Sequence, residues 1–251
     1  MNNKIMKVFF IIFLLSGCSV NNLNKPSLEN SVTTAQVEEF LKDKKLNMEY
    51  SPFEFEINYK SVIYTASYRE NNELDINGKI KYDHNNKLSM AYELNLSSKT
   101  FDTISVTNKN IRCEITEKVV AYTDRNNNLI SFINLNGYKI ENENEERVNK
   151  KTIVEENISI GSDYIEYLDD LTQIDLGSCS NYINGNVLTV VNSQPDAHSV
   201  IDFTFINNEL NEILLSLTTA YANMTYKITY KDVGEIYYPA DADEYIDLRK
   251  K

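Results

Sequence analysis

With 251 residues, 42% of them hydrophobic and 25% charged, the chain has enough material for a sizeable core and the make-up of an ordinary globular protein. That excludes wholesale disorder and collagen-like repetition. The 37 acids outnumber 25 bases, for a net charge of −12, which argues against a nucleic-acid partner. Two His and three Cys are too few for a His-rich or Cys-rich metal scaffold.

Residues 1–17 have the order of an export signal: Lys4 and Lys7, then the apolar run from Val8 to Leu15, then small residues. The run is well short of the ~20 residues that a membrane-crossing helix needs. Leu15-Ser16-Gly17-Cys18 resembles the lipobox of bacterial lipoproteins. The resemblance implies that Cys18 becomes the mature N-terminus and carries a diacylglyceryl group on its sulfur, holding the protein on the extracytoplasmic face of the cell membrane. Removing Lys4 and Lys7 with no acid lowers the net charge from −12 to −14. Anionic lipid attracts polybasic segments, and the small clusters at Lys42–Lys45 and Arg249–Lys251 read as solvated ends. The membrane is therefore reached through the anchor and not through the body. Residues 18–32 are polar, with one Pro, and read as a flexible tether; residues 33–251 read as a single β-rich domain.

Thr33-Thr34-Ala35-Gln36 has the form of a capping box and predicts a short amphipathic helix over 34–45. From Phe53 the chain alternates with period two, Phe53, Phe55, Ile57 and Tyr59 on one face. The heavier row then becomes Val62, Tyr64, Ala66 and Tyr68, which predicts a turn or bulge near Lys60-Ser61. Further strands are expected at 76–82, 88–96, 111–115, 129–135, 187–191, 200–206, 210–217 and 224–230. Asn71-Asn72, Asn85-Asn86, Asn126-Asn127 and Asn207-Asn208 read as hairpin corners, since Asn tolerates positive φ where Gly is scarce. The acidic stretch Glu141–Glu146 reads as a solvated loop, and a second helix is expected over Ser162–Leu171.

Catalytic patterns are missing: no Gly-x-Ser-x-Gly, no phosphate-cradling Gly loop and no His-Glu-x-x-His. His84 and His198 sit in expected loops outside any nucleophile motif. Asp124-Arg125-Asn126-Asn127-Asn128 begins like a calcium loop but has Leu129 at the sixth position and Leu135 at the twelfth, so it reads as an Asn-rich turn. Asp241-Ala242-Asp243-Glu244 reads as an exposed acidic tail. No catalytic residue, metal site or cofactor follows from the sequence, and the chain is not read as an enzyme, although no pattern among its acids excludes a two-carboxylate hydrolase. Cys113 and Cys179 are either a disulfide pair formed in an oxidising compartment or two buried free thiols.

The order of elements is signal, tether, short helix, antiparallel meander, central helical interruption and closing strands. It ends in Met224–Ile236 followed by Tyr237-Tyr238-Pro239-Ala240. This arrangement resembles the LolA/LolB-like and LppX/LprG-like lipoprotein-carrier superfamily. The resemblance implies a mainly β (α+β) fold, one curved antiparallel half-barrel sheet packed on a few short helices. It also implies a cavity between them for a lipid or acylated ligand. Strand phase gives Tyr64, Ile80, Tyr82, Met90, Tyr92, Leu94, Tyr226 and Ile228 as cavity candidates, and the same phase would equally make them core. The competing expectation is an envelope interaction or structural lipoprotein with a filled interior, whose protein partner the sequence does not name.

Overall fold

The structure is a computed structural model that describes residues 31–46, 48, 51–65, 68–83, 86–104, 109–124, 128–141, 143–156, 178–195 and 197–249. The signal segment, Cys18, nearly all of the tether, His84 and the helix expected over 162–171 lie outside the described residues.

The capping box forms. Thr33 Oγ1 accepts the Gln36 N–H while Gln36 Oε1 accepts the Thr33 N–H at 2.9 Å, and this starts helix α1 (Thr34–Leu41). The helix stops short of residue 45 because the chain turns to meet another hairpin. Lys45 N–H donates to the Asn208 carbonyl at 2.8 Å, and Lys44 Nζ donates to Asn208 Oδ1 at 2.7 Å.

Twelve strands follow: β1 (Phe53–Tyr64), β2 (Tyr68–Asp83), β3 (Asn86–Ile104), β4 (Lys109–Thr123), β5 (Leu129–Glu141), β6 (Asn144–Glu156), β7 (Ser180–Asn184), β8 (Val187–Gln194), β9 (Ala197–Ile206), β10 (Glu209–Thr219), β11 (Ala222–Tyr230) and β12 (Ile246–Asp247). They make one curved, unclosed sheet in the order β12-β6-β5-β4-β3-β2-β1-β11-β10-β9-β8-β7, antiparallel except for the β12–β6 pair. Two meanders, β1–β6 and β7–β11, are thus joined along a single seam where β1 pairs with β11. The expectation of a mainly β chain on a curved antiparallel sheet holds; among the described residues α1 is the one α-helix.

Several corners differ from the sequence reading. Asn71 and Asn72 lie inside β2, where Asn72 accepts from Thr100 Oγ1 at 2.9 Å and is held by side chains, not by a turn. β1 runs through Lys60-Ser61 without a register shift, so Ser61 stays on the buried face and Val62 and Tyr64 point outward. Glu141–Glu146 is not a loop but the tip of the β5–β6 hairpin, with Glu143 at φ 74°. Its strands carry charge because ion pairs such as Lys139–Glu141 at 3.0 Å and Arg147–Glu145 at 2.6 Å lie along each strand. His198 stands near the start of β9, and its Nδ1 lies 2.9 Å from Ser193 Oγ across the β8–β9 hairpin.

The β9–β10 corner is as read: Asn207 and Asn208 have φ of 51° and 64°. A β-branched side chain at a left-handed position costs roughly 1–2 kcal/mol. Asn207→Val is therefore expected to lower stability by that amount, and Asn207→Gly to leave it nearly unchanged, as measured by urea denaturation.

The cross-strand register aligns one rung through the sheet: Leu188, Phe203, Ile213, Ile228, Phe55, Gly78, Leu94, Val119, Ile133 and Thr152. These residues face the main core, here called the inner face. Gly78 has no side chain because the Phe55 ring lies over it. A Cβ there would sit 2.7 Å from Phe55 Cζ and 2.6 Å from the Glu93 carbonyl oxygen.

A smaller second core lies on the outer face. After Tyr230 the chain crosses β2, β4, β5 and β6 as a strap. Lys81 of β2 pairs with Glu235, Tyr122 of β4 donates to the Ile236 carbonyl at 3.3 Å, and Tyr238 stacks on Tyr122 with ring centroids 4.2 Å apart. Phe132 of β5 meets Tyr238 and Tyr245 edge-on. Lys151 of β6 bonds Asp241 and Glu244, and β12 then adds to the β6 edge. The strap buries Val120, Phe132 and Ile153 together with its own Val233 and Ile236. Asp241–Glu244, read as a free acidic tail, is therefore a docked 3-10 turn.

Candidate functional site

The inner face has two halves of different character. Over β7–β10 it is closed: Val37 of α1 is fully buried, and Phe40 meets Phe205 edge-on with centroids 5.7 Å apart. Leu188, Val190, Phe203, Leu210 and Ile213 beneath are buried too. Over the middle of β2–β6 the face is more open. Leu74, Leu94, Leu96, Ile115 and Leu135 are only half-buried, and Val148 is 48% exposed. All six point inward on three successive rungs.

Glu117 of β4 lies in this apolar wall. Its rung neighbours are Leu96 and Leu135, and its strand neighbours on the same face are Ile115 and Val119. The residue is only 8% exposed, and burial pushes its carboxyl above the usual range. The burial cost falls on the ionised form. Glu117 therefore works against folding at neutral pH, and this opposition fades as the pH falls from its raised folded-state value and is gone only below the ordinary carboxyl value of the unfolded chain. Two rungs deeper, Ser131 of β5 is 2% exposed and its Oγ has no hydrogen-bond partner.

Towards the Tyr64 end the same face becomes polar. Glu70 and Asp102 are directly opposite on β2 and β3. Tyr68 and Asn72 donate to Glu70, and Asn72 also donates to Ser61 at 3.4 Å. Burial first, and Glu70 second, raise the Asp102 carboxyl, while the bond to Glu70 pushes the Tyr68 hydroxyl up to about 12.

Of the residues expected at a cavity, Ile80, Tyr82, Met90, Tyr92, Tyr226 and Ile228 are buried in the main core, and Leu94 packs against it half-buried. Tyr64 belongs elsewhere: it is on the outer face, 66% exposed, edge-on to Tyr221. Its apparent place in the inner row came from the supposed slip at Lys60-Ser61. Cys113 and Cys179 are both free, Cys113 on β4 and Cys179 just before β7, in opposite wings of the sheet, so the disulfide is not formed. Asp124 closes the β4–β5 corner by accepting the Asn128 N–H at 2.9 Å.

Glu117 was missed in the sequence although a signal for it existed. Continuing the Ile111, Cys113, Ile115 phase by two residues reaches Glu117 before Val119 and Ala121 resume the apolar row.

No protein-family model and no curated protein matches the chain. Among solved structures it is similar to a β-barrel-like protein of the domain of unknown function DUF1849 from Brucella abortus. The two share 8% identity over 73% of this chain and 99% of that one, with a TM-score of 0.29.

Proposed function

We propose that the chain is a lipid-anchored extracytoplasmic protein that holds an apolar or acylated ligand against the open half of its inner sheet face. The observation that carries this reading is the half-buried wall of Leu74, Leu94, Leu96, Ile115 and Leu135 beside a fully closed core. Contiguous apolar surface left outside a finished core marks a site that something else covers. The export signal and Cys18 supply the address: a single acyl chain binds membranes marginally, and the two of a diacylglyceryl group hold firmly.

Native mass spectrometry of the full chain extracted from membranes tests both parts. The expected result is a diacylglyceryl mass on Cys18 together with a co-purified lipid, and loss of the lipid, with retained β circular dichroism, in Leu96→Asp. A protein that carries no lipid and leaves a neutral apolar dye unbound would refute the ligand. The second reading, an interaction lipoprotein, draws on Tyr237, Tyr238, Ile246 and Leu248, which stand 77%, 63%, 59% and 52% exposed on the strap. Crosslinking from the strap to one envelope protein, with no lipid bound, would favour it.

A further inference from the structure

We propose that the open stretch of the β6 edge pairs with the same stretch of a second copy of this chain. The two strands run antiparallel about a two-fold axis at Val148, so that the sheet continues from one chain into the next. β6 is next to last in the sheet, and β12 covers its outer edge only at Thr152 and Ile153. Among the described residues no strand pairs with that edge from Glu145 to Lys150, and these residues are exposed. An open edge offers its backbone groups to any extended segment, and charges along it ordinarily keep neighbours away. Here the charges are ordered by sign. Glu145-Glu146 precede Val148 and Lys150-Lys151 follow it. A copy turned through half a circle about Val148 therefore brings its bases to the acids and its acids to the bases.

Backbone geometry selects the same register independently. The Leu248 N–H donates to the Ile153 carbonyl at 2.9 Å, so the odd-numbered residues of β6 turn their backbone groups away from β5. In the pairing centred on Val148, Arg147 of each copy stands opposite Asn149 of the other, and each such pair exchanges two backbone hydrogen bonds. Val148 meets its own counterpart on the inner face. Glu146 against Lys150 flanks it on either side, in the closer kind of cross-strand pair. A shift by one hydrogen-bonded step sets Arg147 against Arg147, or Arg147 against Lys151, and both oppose like charges. Lys151 is already held by Asp241 and Glu244 of the strap, and β12 begins beside it, so the contact ends at Lys150. A pairing this short buries little surface. Dilute chains stay single, and the contact forms where copies are crowded, as lipid anchors in one membrane would crowd them. It does not depend on a ligand at the inner face.

Isotopically heavy and light copies of the full chain are mixed at about 1 mM, the range that tethering provides, and treated with a zero-length carbodiimide. Heavy-to-light amide links from Glu146 to Lys150 are expected at least tenfold above those from Glu146 to Lys42, an exposed base on the far wing. Single Cys substitutions at residues 146–150 are then oxidised mildly, and the linked peptides are identified by mass. Val148→Cys is expected to join its own copy at least tenfold more than Glu146→Cys or Lys150→Cys. The paired Cα atoms at Val148 would lie about 4.5 Å apart, within disulfide reach, and those at residue 146 about 13 Å apart. Adding Glu146→Lys to Val148→Cys is expected to cut the trapping at least fivefold, and adding Lys150→Glu as well should restore it. A maximum at another position, equal trapping at all five, or no effect of Glu146→Lys overturns the pairing. Absence of heavy-to-light links in the wild-type chain overturns it without recourse to any variant.

Discussion

Replacing Gly78 by alanine is expected to destabilise the protein by about 3 kcal/mol, at the upper end for adding one carbon to a packed interior. The added Cβ would meet two things at once: the Phe55 ring at 2.7 Å and the Glu93 carbonyl oxygen at 2.6 Å. The ring can turn aside, but the carbonyl belongs to the β2–β3 ladder and moves only with its strand. Phe55→Ala alone is expected to cost about 3–5 kcal/mol through the space it leaves. In the double variant the ring contact is gone, so the combined loss should fall short of the sum. It should still exceed that of Phe55→Ala, because the carbonyl contact remains. Urea denaturation of the four proteins measures this, and strict additivity would mean that Phe55 is not the obstacle.

Ending the chain after Lys231 is expected to cost roughly 5 kcal/mol. It uncovers Val120, Phe132 and Ile153, now 4%, 7% and 8% exposed. Burying side chains of this kind is worth about 1.5–3 kcal/mol each. The truncation also strips β12 from the β6 edge and leaves open hydrogen-bonding groups beside a fresh apolar patch. The shortened protein should therefore aggregate at concentrations where the full chain stays monomeric in light scattering. Tyr238→Ala isolates one contact, the stack on Tyr122, and should lose about 1 kcal/mol. Unchanged stability on truncation would show that the strap lies on the sheet without supporting it.

Local rules were enough wherever a segment obeys a single one. The capping box at Thr33, the alternation of Phe53, Phe55 and Ile57, and the Asn207-Asn208 corner all read directly from the sequence. The errors cluster where strands outrun the core. β2 to β6 are 13 to 19 residues long, and the Tyr64-side ends of β2 and of the β5–β6 hairpin are mostly polar or charged on both faces. With no apolar face to bury, alternation fades, and Asn71-Asn72 and Glu141–Glu146 then look like loops. The strap was illegible for another reason: its partners Lys81, Tyr122, Phe132 and Lys151 lie 90 to 154 residues away in sequence, and nothing local to Tyr238 or Asp241 announces them. Glu117 was hidden because a lone acid in a strand ordinarily marks the solvent side.

The β1–β11 seam joins residues 53–61 to residues 222–230 and so governs how the molecule is made. Distant pairings form late, and the delay exceeds any lasting penalty, since closing a longer loop adds only slowly to the entropic cost. A chain delivered from its N-terminus presents the β1–β6 meander long before β11 exists. During that interval the β1 border, with Phe53, Phe55 and Ile57, is without its neighbour, a sticky margin open to any other extended segment. The nascent protein is therefore most vulnerable at what becomes, once synthesis ends, the middle of its sheet.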